Sequence, residues 1–138
     1  MMNCIFCEII QKEEPAEILY ETDHVLAMLD IRPIHYGHAL VIPKKHCVDF
    51  LSVPAESFHE IMRVTQIVAR ALVKTFDLEG FNVFSNNGRI AGQSVFHFHL
   101  HIVPRYVGDA IRFAPMLKSY TGRSMAEHGE RIRRNIEP

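Results

Sequence analysis

Three histidines, His97, His99 and His101, alternate with Phe98, Leu100 and Ile102 in the segment HFHLHIVPR. Imidazole titrates near neutrality, so these side chains can serve as nucleophile, acid, base or metal ligand. On a strand, successive side chains point to opposite faces. The three histidines then share one face, and the apolar residues between them share the other, the core face. A merely solvated face would be served equally well by Thr, Lys or Glu, so the repeat argues for chemistry. A single metal shared by all three fits poorly. Strand rise sets the α-carbons of His97 and His101 about 13 Å apart, whereas zinc–nitrogen bonds are about 2.0 Å. A catalytic row fits better, with a nucleophile in the middle and donors around it. The preceding loop agrees. Gly92, Gln93 and Ser94 supply a closely approachable backbone, an amide and a hydroxyl just before the row, with Asn86 at the loop's other end. Such groups can cradle phosphate oxygens.

The elements that must hold this row are legible from pattern. Residues 4–11 read as a short helix or turn. Residues 18–21 and 25–29 read as two strands around a turn at Thr22-Asp23-His24. HALVIP reads as an apolar strand stopped by Pro43. Phe58, Ile61, Met62, Thr65, Val68, Ala69, Leu72 and Phe76 recur at helical spacing. Ser52 or Val53 is placed to cap that helix, with Pro54 in its first turn, and the helix should end before Gly80. FNVFS and VFHFHLHIV read as further strands. Residues 124–136 read as a final helix with Met125, Ile132 and Ile136 on one face. Short strands, one long helix and more strands imply an α+β fold with a mostly antiparallel sheet.

The chain has 138 residues, 48% of them hydrophobic, and a net charge of −1. This fits one globular domain spanning 1–138. It gives no basic surface for nucleic acid. No apolar run approaches the roughly 20 residues of a membrane helix, and the N-terminus lacks the pattern of a secretory signal. Three cysteines, an odd number, argue for a reducing, cytoplasmic setting rather than a disulfide framework.

HFHLHIV resembles the motif of the histidine-triad (HIT) family, three histidines each followed by an apolar residue. CIFCEII near the start, LDIRPIHYGHALVIPKKH in the middle and NNGRIAGQSVFHFHLHIVPR extend the resemblance across residues 3–105. The tail from 106 onward is not matched. The resemblance implies the HIT fold, a five-stranded, mostly antiparallel sheet with a long helix and short helices packed on it. It further implies a nucleotide hydrolase or transferase acting at the α-phosphate. The substrate class would be a purine nucleoside phosphoramidate or a dinucleoside polyphosphate. His99 matches the nucleophile that forms a covalent nucleotidyl-histidine. His101 matches a phosphate contact, and His38 the histidine that steadies the catalytic imidazole. Gln93 and Ser94 match residues near the phosphate and leaving group, and Asn86 and Gly92 other phosphate-side positions. Asp30 matches the acid that holds the ribose hydroxyls. Phe6, Ile9, Leu29 and Ile31 fall where the family lines its base pocket. The family also pairs as a homodimer through the long helix and an adjoining strand.

Cys4 and Cys7 form a CxxC pair. Alone it reads as a redox pair, half a zinc site or chance. No strand precedes it, which speaks against a thioredoxin-like pair. Tetrahedral zinc needs two further ligands. The resemblance supplies them at His46 and His97, which match positions that bind structural zinc in the relatives carrying the cysteines. An alternative to the enzyme is a nucleotide sensor or adaptor without turnover, which would have little use for a nucleophile at His99.

Overall fold

Apolar alternation in VLAML and ALVIP builds two adjacent buried strands, and the rest of the sheet grows outward from them. A computed structural model describes residues 3–138. In chain order the elements are α1 (Ile5–Ile10), β1 (Ile18–Glu21), β2 (Val25–Leu29), β3 (Ala39–Pro43), α2 (Phe58–Phe76), β4 (Gly80–Phe84), β5 (Leu100–Arg105) and α3 (Ser124–Arg134). The five strands form one sheet in the order β1-β2-β3-β5-β4, antiparallel at every pairing. The α+β reading and the mostly antiparallel sheet are therefore borne out.

The sheet has two covered faces. On one, α2 sets Ile61, Val64, Val68 and Leu72 against Val25, Ala27, Val41, Phe98, Leu100 and Ile102. On the other, α1 sets Phe6 and Ile9 against Leu26, Met28, Leu40 and Ile42. The histidine row lies on this second face, where Phe6 meets His97 and His99 edge-on. Gly37 takes a φ of +90°, and a side chain there would meet Phe76 at 2.8 Å and Pro104 at 3.1 Å. Glycine thus lets the β2–β3 loop lie against the end of α2.

Two expectations about element ends are corrected. The helix does not start at Pro54. Short 3-10 turns occupy Phe50–Ser52 and Ala55–Ser57, the first capped reciprocally by Asp49 and Ser52, and α2 begins only at Phe58. The last strand does not run from Val95. Its ladder with β3 starts at the pair Val41–Leu100. Two residues further along β3 stands Pro43, which has no N–H to extend the ladder. Phe98 N–H donates instead to the Cys47 carbonyl at 2.6 Å. The alternation of faces nevertheless carries on through His97–His99. None of α3 is buried, and no helix among the described residues is long and apolar enough to cross a membrane.

Candidate active site and metal centre

The hydrogen bonds assign a proton to each imidazole of the site. His99 Nδ1 lies 2.7 Å from the carbonyl oxygen of His97. A carbonyl only accepts, so Nδ1 carries the hydrogen and Nε2 of the neutral ring keeps its lone pair. A second chain begins at Ile34, whose N–H donates to His38 Nδ1 at 3.0 Å. His38 Nε2 therefore carries the hydrogen and donates to His101 Nδ1 at 2.9 Å. The proton of His101 is thereby left on Nε2, a buried atom with no partner among the described residues. The row thus presents one imidazole lone pair and, beside it, one unpartnered N–H donor. His38 was expected to steady the nucleophile. It holds His101 instead, because His99 turns its Nδ1 toward the carbonyl of His97.

Burial keeps these rings neutral. It pushes His99 below its ordinary value despite its bond to the His97 carbonyl and the nearby Asp30 carboxylate. Burial, reinforced by His99 and His38, takes His101 down to about 4. His38 is lowered chiefly by burial, against the pull of Asp30.

The loop before the row is organised by Gln93. Its Oε1 accepts from Gly88 N–H at 2.9 Å, and its Nε2 donates to the carbonyls of Val48 at 2.7 Å and Val95 at 3.2 Å. All of these bonds go to loop backbone, so the Gln93 side chain holds the shape of the loop expected near the phosphate rather than offering it a free amide donor. Gly92 takes a φ of +98° beside the Asn86 amide, so these two positions do come together. Ser94 is exposed at the mouth of a cleft shared with Asn3, Ile5, His46 and Phe96.

Asp30 is half-buried. Its Oδ1 accepts from Arg32 N–H at 2.9 Å, a turn role, while Oδ2 stands 3.7 Å from His38 Nε2. Phe6 and Ile9 are buried on the histidine face. Ile31 is 87% exposed. Leu29 is corrected: it lines a groove on the opposite face with Leu19, Gly37, Ala71 and Phe76. Met28, which the sequence reading missed, packs with Phe6 and Ile9 instead. Strand alternation within VLAML is the signal that finds it.

Cys4, Cys7, His46 and His97 converge. His46 Nδ1 and His97 Nδ1 are 3.2 Å apart, and Cys4 Sγ and Cys7 Sγ lie 3.4 and 3.6 Å from His97 Nδ1. Cys7 Sγ lies 3.4 Å from His46 Nδ1. Tetrahedral zinc has nitrogen–nitrogen edges of about 3.3 Å and sulfur–nitrogen edges of about 3.5 Å, given bonds of about 2.0 and 2.3 Å. His97 Nε2 donates to the Pro43 carbonyl at 2.7 Å, which frees Nδ1 as a ligand. Cys4 Sγ accepts Cys7 N–H at 3.4 Å. Burial and then Cys4 push the Cys7 thiol up to about 11, a cost that a bound cation removes by taking the thiolate. The donor set fits zinc. Asp30, His38 and His101 also bring candidate ligand atoms within 4.8 Å of one another. That group does not fit a metal, because His38 Nε2 carries a proton and the lone pair of His101 Nδ1 is taken up in accepting it.

A family model of the HIT domain matches residues 11–108. An uncharacterized HIT-like protein of Methanocaldococcus jannaschii is 47% identical over 106 residues, covering 77% of this chain and 81% of the relative. A protein of Arabidopsis thaliana named as an adenylylsulfatase is 36% identical over 119 residues, 86% of this chain and 60% of the relative. The crystal structure of a zinc-bound histidine triad family protein from Mycobacterium smegmatis superposes with a TM-score of 0.76 at 42% identity, covering 85% of each chain.

Proposed function

This chain belongs to the HIT domain family, and from that premise we propose that it hydrolyses a nucleotide at its α-phosphate through a covalent nucleotidyl-His99. The observation that carries the reading is the tautomer of His99, fixed by its 2.7 Å bond to the His97 carbonyl. A neutral imidazole with a bare Nε2 needs no base to activate it. In the first step Nε2 attacks phosphorus, an N–P bond forms, and the leaving group departs with its electron pair. In the second, water attacks phosphorus, the N–P pair returns to Nε2, and the proton that water loses passes to solvent, which protonates the leaving group where that is an amine. The Nε2–H of His101 is the fixed donor for the charge that builds on the phosphoryl oxygens. Asn86 adds a phosphate-side donor beside Gly92, and Ser94 stands toward the leaving group. Asp30 Oδ2 takes the ribose hydroxyls, and Phe6, Ile9 and Ile31 hold a purine base.

Zinc is the structural ion of the Cys4, Cys7, His46, His97 cradle, where it would cross-link α1, the loop after β3 and the approach to β5. The protein works as a homodimer. Supporting this is an open apolar surface where Met62, Ala69 and Val73 of α2 meet Phe81 and Val83 of the edge strand β4. Its three free cysteines suit a cytoplasmic setting. Substrates to test are adenosine phosphoramidates, diadenosine polyphosphates and, prompted by the Arabidopsis relative, adenylyl sulfate. Turnover of at least one supports the reading. Nucleotide binding with no turnover of any would favour the sensor alternative.

A further inference from the structure

Phe84 of β4 is the direct cross-strand partner of His101. Strand alternation turns Phe81 and Val83 toward α2 and leaves Phe84 on the histidine face. The two rings stack at 4.7 Å between centroids with an interplanar angle of 16°. On the other flank, His38 gives His101 its hydrogen bond from a ring tilted by 47°. These constraints differ in kind. A hydrogen bond at Nδ1 selects which nitrogen carries the proton, but the ring can still swing about its bond to the backbone. A flat aromatic face sets the plane of the ring. Only both together give Nε2–H a single direction. Leu or Val would satisfy β4 as well as Phe does, but neither offers a flat face.

Phe84 is itself supported. Phe113, from the tail beyond β5, meets it edge-on at 6.0 Å and 70°. The Arg105 guanidinium lies 5.7 Å above the Phe113 ring and grips Asp109 in a fork at 2.8 and 3.1 Å. The tail is thus pinned where its aromatic ring backs the stack.

We propose that Phe84 is a positioning residue that fixes the ring plane of His101, with Phe113 as its outer support. The proposal rests on the phosphate-donor role given to His101 above. The test compares Phe84→Leu, which keeps the bulk, with Phe84→Tyr, which keeps the face. Two readouts are taken: nitrogen-15 imidazole spectra of the free protein, and kcat and KM on an adenosine phosphoramidate.

All three proteins should keep His101 as the Nε2–H tautomer that His38 selects. Wild type and Phe84→Tyr should show one sharp signal with a slowly exchanging proton, and Phe84→Leu a signal broadened by motion of the ring plane, with faster proton exchange. Phe84→Leu should lower kcat about tenfold with KM unchanged. That is less than the roughly 10²–10³ lost with a whole donor. Phe113→Ala should move both readouts in the same direction by less. A Phe84→Leu protein with the wild-type His101 signal overturns the proposal. So does a Phe84→Tyr protein as impaired as Phe84→Leu, since ring face would then be irrelevant. If wild type turns nothing over, the hydrolase reading fails, and the spectra still decide whether Phe84 sets the ring.

Discussion

The backbone carbonyl of His97 accepts the Nδ1–H of His99 at 2.7 Å, while the side chain of the same His97 points Nδ1 into the Cys4–Cys7–His46 cradle. One residue thus joins the metal centre to the tautomer of the nucleophile. Phe6 strengthens the link. It is the second residue of α1, between the two cysteines, and meets His99 edge-on at 5.1 Å.

The first prediction concerns the metal. The purified protein should carry close to one zinc per chain. Cys4→Ser or Cys7→Ser should lower both zinc content and melting temperature. An ion present at about 1,000 times its dissociation constant stabilises by about 4 kcal/mol. At about 2–4 °C per kcal/mol, the loss should be roughly 8–16 °C. Elemental analysis finding no metal after reducing, chelator-free purification would refute this.

Replacing Asp30 tests the ribose contact. Asp30→Asn retains an oxygen for the turn bond to Arg32 N–H but removes the charge. A hydrogen bond to a charged group contributes about 1.5–3 kcal/mol, so KM should rise about tenfold or more with kcat nearly spared. Deoxynucleoside substrates that bind wild type as well as ribonucleosides do would show the role to be wrong.

Acid should act on the histidine row with a definite sign. His101 falls from an ordinary 6.5 to about 4 in the folded chain. Between those values the unfolded chain binds a proton that the folded chain does not, so stability declines as pH drops through the window. Above 6.5 there is no effect. Unfolding in that window should take up about one proton fewer in His101→Asn than in wild type. Denaturant titrations across pH measure the difference, and identical slopes for the two proteins would contradict it.

Dimer formation should fail when charge enters the open β4–α2 surface. Val83 is 40% exposed and Phe81 42%, so Val83→Asp costs the isolated fold little. Sedimentation at micromolar concentration should give a dimer for wild type and a monomer for the variant. A wild-type monomer would remove the interface altogether.

Much of this site was readable because side-chain periodicity survives where hydrogen bonding does not. His97 and His99 precede the formal strand, yet they share the face of His101 because the chain stays extended. The same rule would have exchanged Leu29 for Met28 had it been carried through VLAML. Gln93 was not readable: an amide next to a histidine row looks free until its loop closes on Gly88, Val48 and Val95. Nor was the partner of His38. Sequence places it near the row, but register decides which ring it meets. Leu40 pairs with His101 across β3 and β5, which sets His38 on the diagonal to that ring. Phe84 was hidden for the same reason, since its contact is a cross-strand one.

The sharpest prediction concerns His99. As nucleophile it makes the reaction two in-line displacements at phosphorus, and two inversions give net retention at a chiral phosphorothioate centre. His99→Ala, Asn or Gly should abolish turnover by several orders of magnitude, because a nucleophile cannot be partly replaced. Nucleotide binding should persist, since Asp30, His101 and the loop donors remain. His101→Ala should cost less, about 10²–10³ in kcat, the usual loss for one charge-stabilising donor. Burial holds His99 below its ordinary 6.5, so its Nε2 stays bare at neutral pH and turnover should stay level as pH falls toward that value. Rapid quench with mass spectrometry should place the nucleotidyl adduct on the peptide that contains His99, and site-specific variants should assign it there. An adduct on His97 or His101, or inversion at phosphorus, would falsify the assignment while leaving membership of the HIT family intact.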